Sequence, residues 1–374
     1  MKVLIVVGTR PNFIKVSQFK KELKNSTLID LKIVHTGQHY DVKMADVFFS
    51  QLNIKPDFYL NIAPNSACSQ VAEIMIKLEE LILNQYKPDL IVVVGDVNST
   101  LAAAIAANKL NIKLAHLESG LRSRDRTMPE ELNRIITDEL SEVFFITEKS
   151  GYENLIKEGK NKDQLFMVGN TMIDSLIAFK PEIEKNEILN KLNLKPKEYI
   201  LLTIHRPATV DYENGLINLI EVLKDLNKTE MLVFPIHPRT IKKLIEFDLY
   251  DSIKNLKNLQ LIEPLDYFSF QKLLCNAKLI ITDSGGIQEE TTYEKIPCLT
   301  LRPNTERPIT VEIGSNILIP FEINIIRKYI NKITNGEFKK SSIPELWDGN
   351  ASKRIIKVLE NMYLKELENS KILD

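Results

Sequence analysis

Cysteine is scarce in this sequence, no long apolar run interrupts it, and neither sign of charge dominates. Each shortage removes a class of protein. Three cysteines, Cys68, Cys275 and Cys298, stand far apart. They are too few and too scattered for a disulfide framework or a zinc site, so a reducing cytoplasm is the expected setting. Forty-nine Lys and Arg nearly cancel fifty Asp and Glu, leaving a formal charge of -1. Without a basic or acidic tract, neither nucleic acid nor a membrane surface is expected as a partner. At the amino end only Val3 to Val7 run apolar before Gly8, too short for a signal peptide or a spanning helix. No metal site is expected. Short repeats and low-complexity tracts are also missing.

A chain of 374 residues exceeds what one apolar core usually organises, and two domains are expected. Short β-branched runs recur, each followed by a longer stretch of helical periodicity, which predicts an α/β fold of parallel sheets with crossover helices. In the first half the predicted strands are Lys2 to Val7, Leu31 to Thr36, Leu90 to Gly95, Lys113 to Leu117, Glu142 to Thr147 and Phe166 to Val168. The second series is Tyr199 to Ile204, Met231 to Ile236, Leu259 to Ile262, Leu279 to Thr282, Cys298 to Leu301 and Asn316 to Ile319. A Lys- and Pro-rich connection, Phe179 to Lys197, lies between them, and the hinge is placed near Asn170. From Ala351 to Leu367 an apolar stripe of Ile355, Ile356, Val358, Leu359, Met362 and Tyr363 predicts a packing helix.

Ligands of open parallel sheets bind beyond the carboxyl ends of the strands, so polar residues ending the apolar runs are the first candidates. In the first half these are Arg10 with Lys15, Gln38 with His39, Asp96 and Glu118; in the second, His205 with Arg206, His237, Glu263 and Ser284. The sharpest signal is Asp283-Ser284-Gly285-Gly286, between a buried run and the helical Ile287 to Glu290. Small residues there let N–H groups approach an anion at the positive end of a helix dipole. The turn has neither a full dinucleotide fingerprint nor a phosphate-loop lysine, which argues against NAD binding and ATP hydrolysis. Glu290 is placed to accept from ribose hydroxyls. Two plainer readings stay open: Ser284 as an N-cap, and Glu290 as a partner of the dipole. Gly8-Thr9-Arg10-Pro11 forms a similar turn, where Arg10 and Lys15 either hold a diphosphate or are simply solvated.

Three carboxylates come from separate elements: Asp96, Glu118 and Glu130. Convergent carboxylates suit proton transfer, because repulsion and partial burial part their pKa values into an acid and a base. Each also has a local alternative. Asp96 opens a helix, Glu118 pairs with Arg122, and Glu130 closes a Thr127-x-x-Glu130 capping box. His205 and His237 stand at equivalent strand ends, suited to a phosphate or a proton, whereas His116 inside its strand reads as core.

In this order the residues resemble the non-hydrolysing UDP-N-acetylglucosamine 2-epimerases. The resemblance runs nearly end to end, through Gly8-Thr9-Arg10-Pro11, His35 to His39, Gly95-Asp96, Glu118 to Arg122, Asp125 to Arg134, Thr282 to Glu290, Thr305-Glu306-Arg307-Pro308 and Leu346-Trp347-Asp348-Gly349. It implies two facing Rossmann-like doubly wound domains of GT-B-type architecture, with the active site in the interdomain cleft. An N-terminal domain of residues 1–169 with 354–374 would carry the catalytic carboxylates; a C-terminal domain of residues 170–353 would bind UDP. Ser284, Gly285 and Gly286 would hold phosphate, Glu290 ribose, and Phe270 would stack on uracil. Arg10, His205 and Arg307 would complete the nucleotide site, with His205 counted among the catalytic residues as well, while His237 is a substrate-binding candidate from its equivalent strand end. Asp96, Glu118 and Glu130 match the family's catalytic carboxylates, and Lys15 matches a basic residue at the sugar end. The implied reaction interconverts UDP-GlcNAc and UDP-ManNAc: a base takes the C2 proton as the C1–O bond breaks, and UDP re-adds to the 2-acetamidoglucal after protonation on the other face. It needs no cofactor. A homodimer is the implied assembly.

Two departures stand out. Pro207-Ala208 replaces the Arg-Glu of many members, and Cys68 stands where an arginine is expected. Such positions contribute in relatives to an allosteric UDP-GlcNAc site, so whether that regulation is retained stays open. The departures also fit a modified substrate, a 3-acetamido or uronic-acid derivative. Three other functions share parts of this pattern: a GT-B glycosyltransferase, a hydrolysing relative releasing free ManNAc, and a silent nucleotide-sugar sensor.

Overall fold

The computed structural model describes residues 1–38, 49–63 and 66–373. The first-half runs form β1 (Lys2–Val7), β2 (Asp30–His35), β4 (Leu90–Val94), β5 (Lys113–Leu117), β6 (Val143–Ile146) and β7 (Leu165–Met167). A further strand, β3 (Phe58–Tyr59), pairs with β2; two residues are too short to show alternation. The second-half runs form β8 (Tyr199–Thr203), β9 (Met231–Pro235), β10 (Leu259–Ile262), β11 (Leu279–Thr282), β12 (Cys298–Thr300) and β13 (Asn316–Leu318). His39 lies outside the described residues.

Among the described residues these strands make two parallel sheets, in the orders β3-β2-β1-β4-β5-β6-β7 and β10-β9-β8-β11-β12-β13. Continuous apolar runs suit them because helices cover both faces. On β8, Ile200 and Leu202 join one core with Leu219 and Leu223, while Leu201 between them joins another with Leu273 and Leu274. In the first sheet, Leu4, Val6, Ile91 and Val93 pack with Ile74, Leu78 and Ala103. The helix Asn98–Lys109 buries Ala102, Ala103, Ala104, Ala106 and Ala107; side chains this small let it lie close to its neighbours.

The chain divides into two compact units, Met1–Ala178 with Glu345–Asp374, and Phe179–Pro344. The division falls after Ala178 and before Glu345 instead of near Asn170 and Arg354, for a reason visible in the contacts. In the helix Thr171–Ala178, Ser175 Oγ lies 2.6 Å from Ser17 Oγ. Trp347, 1% exposed, donates from Nε1 to the Thr147 carbonyl at 3.1 Å. Asp174 then accepts the N–H groups of Ala351 and Ser352, 3.0 and 2.6 Å away, and so caps the closing helix Ala351–Leu373. No described helix is long and apolar enough to cross a membrane.

Strand order locates the polar edges. The order reverses between β1 and β4 in the first sheet and between β8 and β11 in the second, which is where open α/β sheets bind ligands. Arg10 and Asp96 follow the first pair of strands; His205 and Ser284 follow the second.

Candidate active site

At the first reversal, the turn after β1 leads into the helix Arg10–Val16, which the half-buried Arg10 opens. Asn12 Oδ1 accepts the N–H groups of Gly8 and Thr9, both at 3.2 Å, and its amide donates to the Val94 carbonyl at 3.1 Å. This bond ties the turn to β4. Lys15, 7% exposed, extends its ammonium to Glu118 Oε2. Gly95 leaves room for the pair: at φ +66° it adopts a conformation that favours glycine, and a Cβ there would lie 3.2 Å from Glu118 Oε2 and 3.4 Å from Lys15 Nζ. Glu118 is also left-handed, at φ +73°, which costs a non-glycine residue on the order of 1 kcal/mol.

Local pairing of Glu118 with Arg122 does not form. Arg122 instead reaches Asp138 at 2.7 Å and Glu158 at 2.6 Å. Asp96 is not a helix cap either, since Val97 holds that position. Its Oδ2 accepts from Arg134 Nε at 3.0 Å and lies 2.9 Å from Arg134 Nη2, and Asn133 donates to its carbonyl at 2.8 Å. Both partners sit on the helix Pro129–Leu140, so that helix aims the Asp96 carboxylate.

The Thr127–Glu130 capping box is absent, because Thr127 donates its N–H and hydroxyl to Asp125 Oδ1 at 3.0 and 2.6 Å. Met128 becomes the N-cap, and Glu130 stands exposed at the second helical position. Its neighbour Glu131, 1% exposed, takes the structural role instead. It accepts the N–H groups of Ser123 and Arg124 at 2.9 and 2.8 Å and pairs with Arg134. The edge thus joins Lys15 to Glu118 and sets Asp96 on the adjacent strand end; Glu130 follows on the helix that orients Asp96. Glu131 and Arg134 escaped notice as individuals, although their three-residue spacing on a predicted helix is a signal.

At the second reversal, Asp283 is fully buried. Its Oδ2 accepts the N–H groups of His205 and Arg206 at 2.9 and 2.8 Å, and its Oδ1 lies 3.1 Å from His205 Nδ1. Burial works to raise its carboxyl, but His205 and these N–H groups outweigh it and hold it below the ordinary value. The rings of His205 and His237 stand 5.5 Å apart, and His237 Nδ1 accepts from the Arg239 N–H at 3.1 Å.

Ser284 is the N-cap of the helix Gly285–Glu294 by position, without a side-chain capping bond, and its N–H goes to Thr282 Oγ1 at 2.9 Å. The amides that open the helix are therefore those of Gly285 and Gly286. A Cβ on Gly285 would lie 2.6 Å from Glu306 Oε1 and 2.8 Å from Arg307 Nη1, so glycine is what lets a buried ionic chain press on the helix start. In that chain Arg302 reaches Glu306 at 2.9 Å, Glu306 pairs with Arg307, and Arg307 Nε lies 3.0 Å from Glu289. Glu290, 5% exposed, accepts from Gln271. Burial first, then the charge of Glu289, pushes its carboxyl up to about 8. A group largely protonated at neutral pH is a poor partner for a helix dipole. Phe270 lies half-buried against the core around Leu273 and Ile280.

The model of the UDP-N-acetylglucosamine 2-epimerase family matches residues 21–360. A UDP-N-acetylglucosamine 2-epimerase homolog of Methanococcus maripaludis is 44% identical over 97% of this chain and all of its own length. The crystal structure of Methanocaldococcus jannaschii UDP-GlcNAc 2-epimerase in complex with UDP-GlcNAc and UDP superimposes with a TM-score of 0.89 at 41% identity, covering 96% of this chain and 99% of that one. The UDP-2,3-diacetamido-2,3-dideoxy-D-glucuronate 2-epimerase of Pseudomonas aeruginosa is 36% identical over 85% of this chain and 88% of its own. With the family match over residues 21–360 and these identities, the chain belongs to the UDP-N-acetylglucosamine 2-epimerase family.

Proposed function

We propose that the protein interconverts UDP-GlcNAc and UDP-ManNAc by elimination and re-addition of UDP. The observation that carries this is the near end-to-end likeness, at 41% identity, to the Methanocaldococcus jannaschii enzyme whose structure holds UDP-GlcNAc and UDP. The chemistry accounts for the residue inventory. A C2 hydrogen with no neighbouring carbonyl is not acidic, so its loss must be coupled to departure of UDP from C1. The C2–H electron pair becomes the C1–C2 double bond of 2-acetamidoglucal, the C1–O pair leaves with UDP, and the proton goes to an enzyme carboxylate. Re-addition reverses each bond after protonation from the opposite face.

Asp96, Glu118 and Glu130 are the proposed acids and bases, with Lys15 fixing Glu118. Around UDP, the Gly285 and Gly286 amides would hold phosphate after Ser284, with Arg10, His205, His237 and Arg307 offsetting its charge. Glu290 would accept from ribose, and Phe270 would stack on uracil. We further propose a cytoplasmic homodimer that uses neither metal nor cofactor.

The test is incubation with UDP-GlcNAc in deuterated water. Deuterium at C2 of both epimers is expected; unlabelled sugar without UDP-ManNAc overturns the proposal. The Pseudomonas relative favours a second reading, in which the substrate is a 2,3-diacetamido uronic sugar. Turnover of that nucleotide sugar in place of UDP-GlcNAc would select it.

A further inference from the structure

The imidazole of His116 is fully buried in β5. Both ring nitrogens face acceptors: Nε2 lies 2.8 Å from the Gly95 carbonyl, and Nδ1 lies 2.6 Å from Asp138 Oδ1. A carbonyl only accepts, so Nε2 carries a proton. Asp138 Oδ2 takes the Gly120 N–H at 3.1 Å and Arg122 Nη2 at 2.7 Å, and Arg122 is braced in turn by Glu158 at 3.0 and 2.6 Å.

The bonds land on particular backbone atoms. Gly95 precedes Asp96, while His116 and Gly120 lie two residues before and after Glu118. One carboxylate on the helix Pro129–Leu140 therefore grips both turns that present the candidate carboxylates, and this helix also supplies Arg134 to Asp96. Between the two glycine turns, Glu118 holds a left-handed φ of +73°, which a non-glycine residue keeps only under restraint from its surroundings. Stability alone does not explain the arrangement, because buried ionic groups are commonly replaced by apolar ones at no loss.

We propose that His116 and Asp138 are positioning residues of the reaction: acting through the Gly95 carbonyl and the Gly120 N–H, they fix Asp96 and Glu118 relative to each other. The inference rests on the epimerase reading. Neither residue touches the sugar.

The experiment compares full-length His116→Ala, His116→Gln and Asp138→Asn with wild type on UDP-GlcNAc, alongside UDP titration. A small misplacement of catalytic groups costs about 100-fold in rate. The expected result for His116→Ala is a kcat loss of about that size with KM within about threefold and UDP affinity unchanged. His116→Gln keeps a donor for the Gly95 carbonyl and is expected to recover about tenfold of it. A folded His116→Ala protein with kcat within about threefold of wild type, or a loss carried in KM, overturns the proposal. If His116→Ala does not fold, His116→Gln against Asp138→Asn decides by the same split. Wild type inactive on UDP-GlcNAc would overturn the substrate reading separately. Crystals of a folded variant then decide the pair: Gly95 or Glu118 displaced supports positioning, and both unmoved overturns it.

Discussion

Asp283 holds His205 twice, accepting its backbone N–H at 2.9 Å on one carboxylate oxygen and lying 3.1 Å from its Nδ1 with the other. Backbone and ring are fixed by one fully buried group. With Nδ1 facing that carboxylate, Nε2 is the ring atom that can meet a ligand.

Asp283→Asn keeps the shape and removes the charge, so one N–H or the ring loses its acceptor. A stability loss of about 1–3 kcal/mol is expected in urea unfolding. The pH dependence has a definite sign. The folded carboxyl is held below its ordinary 3.8, so its stabilisation is full above that value and fades as pH falls through the depressed one. The acid limb of wild-type stability should therefore steepen relative to Asp283→Asn; parallel limbs would contradict the assignment.

Glu290 has the opposite sign. Its carboxyl rises from 4.5 to about 8 on folding, so the folded state binds the extra proton between those values. Stability should fall as pH rises from about 4.5 through 8, by at most about 1.4 kcal/mol per pH unit from this group. Glu290→Gln is expected to flatten that slope in denaturation measured from pH 5 to 9. Ribose hydroxyls donate best to an ionised carboxylate, so UDP affinity should climb toward pH 8, with proton release seen by calorimetry in buffers of different ionisation enthalpy. Pure burial, without a ligand role, would leave UDP affinity flat.

Lys15 and Glu118 form a buried ion pair, and removing the Lys15 ammonium takes that opposite charge away from a buried carboxylate. Lys15→Met should cost about 3–5 kcal/mol, and the double variant Lys15→Met with Glu118→Gln should regain part of it. The measurement is a double-mutant cycle of unfolding free energies. Additive losses would show that the contact contributes nothing.

Much of this was legible beforehand, and the reason is local. Buried parallel strands need only a continuous apolar run, as at Ile200 to Leu202, and the turn at Ser284 is written in its glycines. What stayed hidden depends on competition or register. Whether Glu130 or Glu131 turns inward was decided by Asp125 capturing Thr127 and by Arg134 reaching back to Glu131. His116 read as core because its acceptors, Gly95 and Asp138, stand 21 and 22 residues away in sequence. Only the pairing of β4 with β5 and the docking of one helix bring them together.

Gly285 offers the sharpest test of the proposed phosphate turn. Its helical φ would accept alanine, so an effect of Gly285→Ala must come from space and not from backbone strain. The new methyl would fall 2.6 Å from Glu306 Oε1 and 2.8 Å from Arg307 Nη1, atoms anchored by Arg302 and Glu289. Either the ionic chain moves off the helix start or the helix start moves, and both shift Arg307 relative to Gly285. UDP affinity should drop at least about tenfold, since one lost charge-assisted hydrogen bond is worth roughly 1.5–3 kcal/mol. The secondary-structure signal should be unchanged. Equal UDP affinity in Gly285→Ala and wild type, by calorimetry, would separate the buried Arg–Glu chain from the nucleotide site altogether.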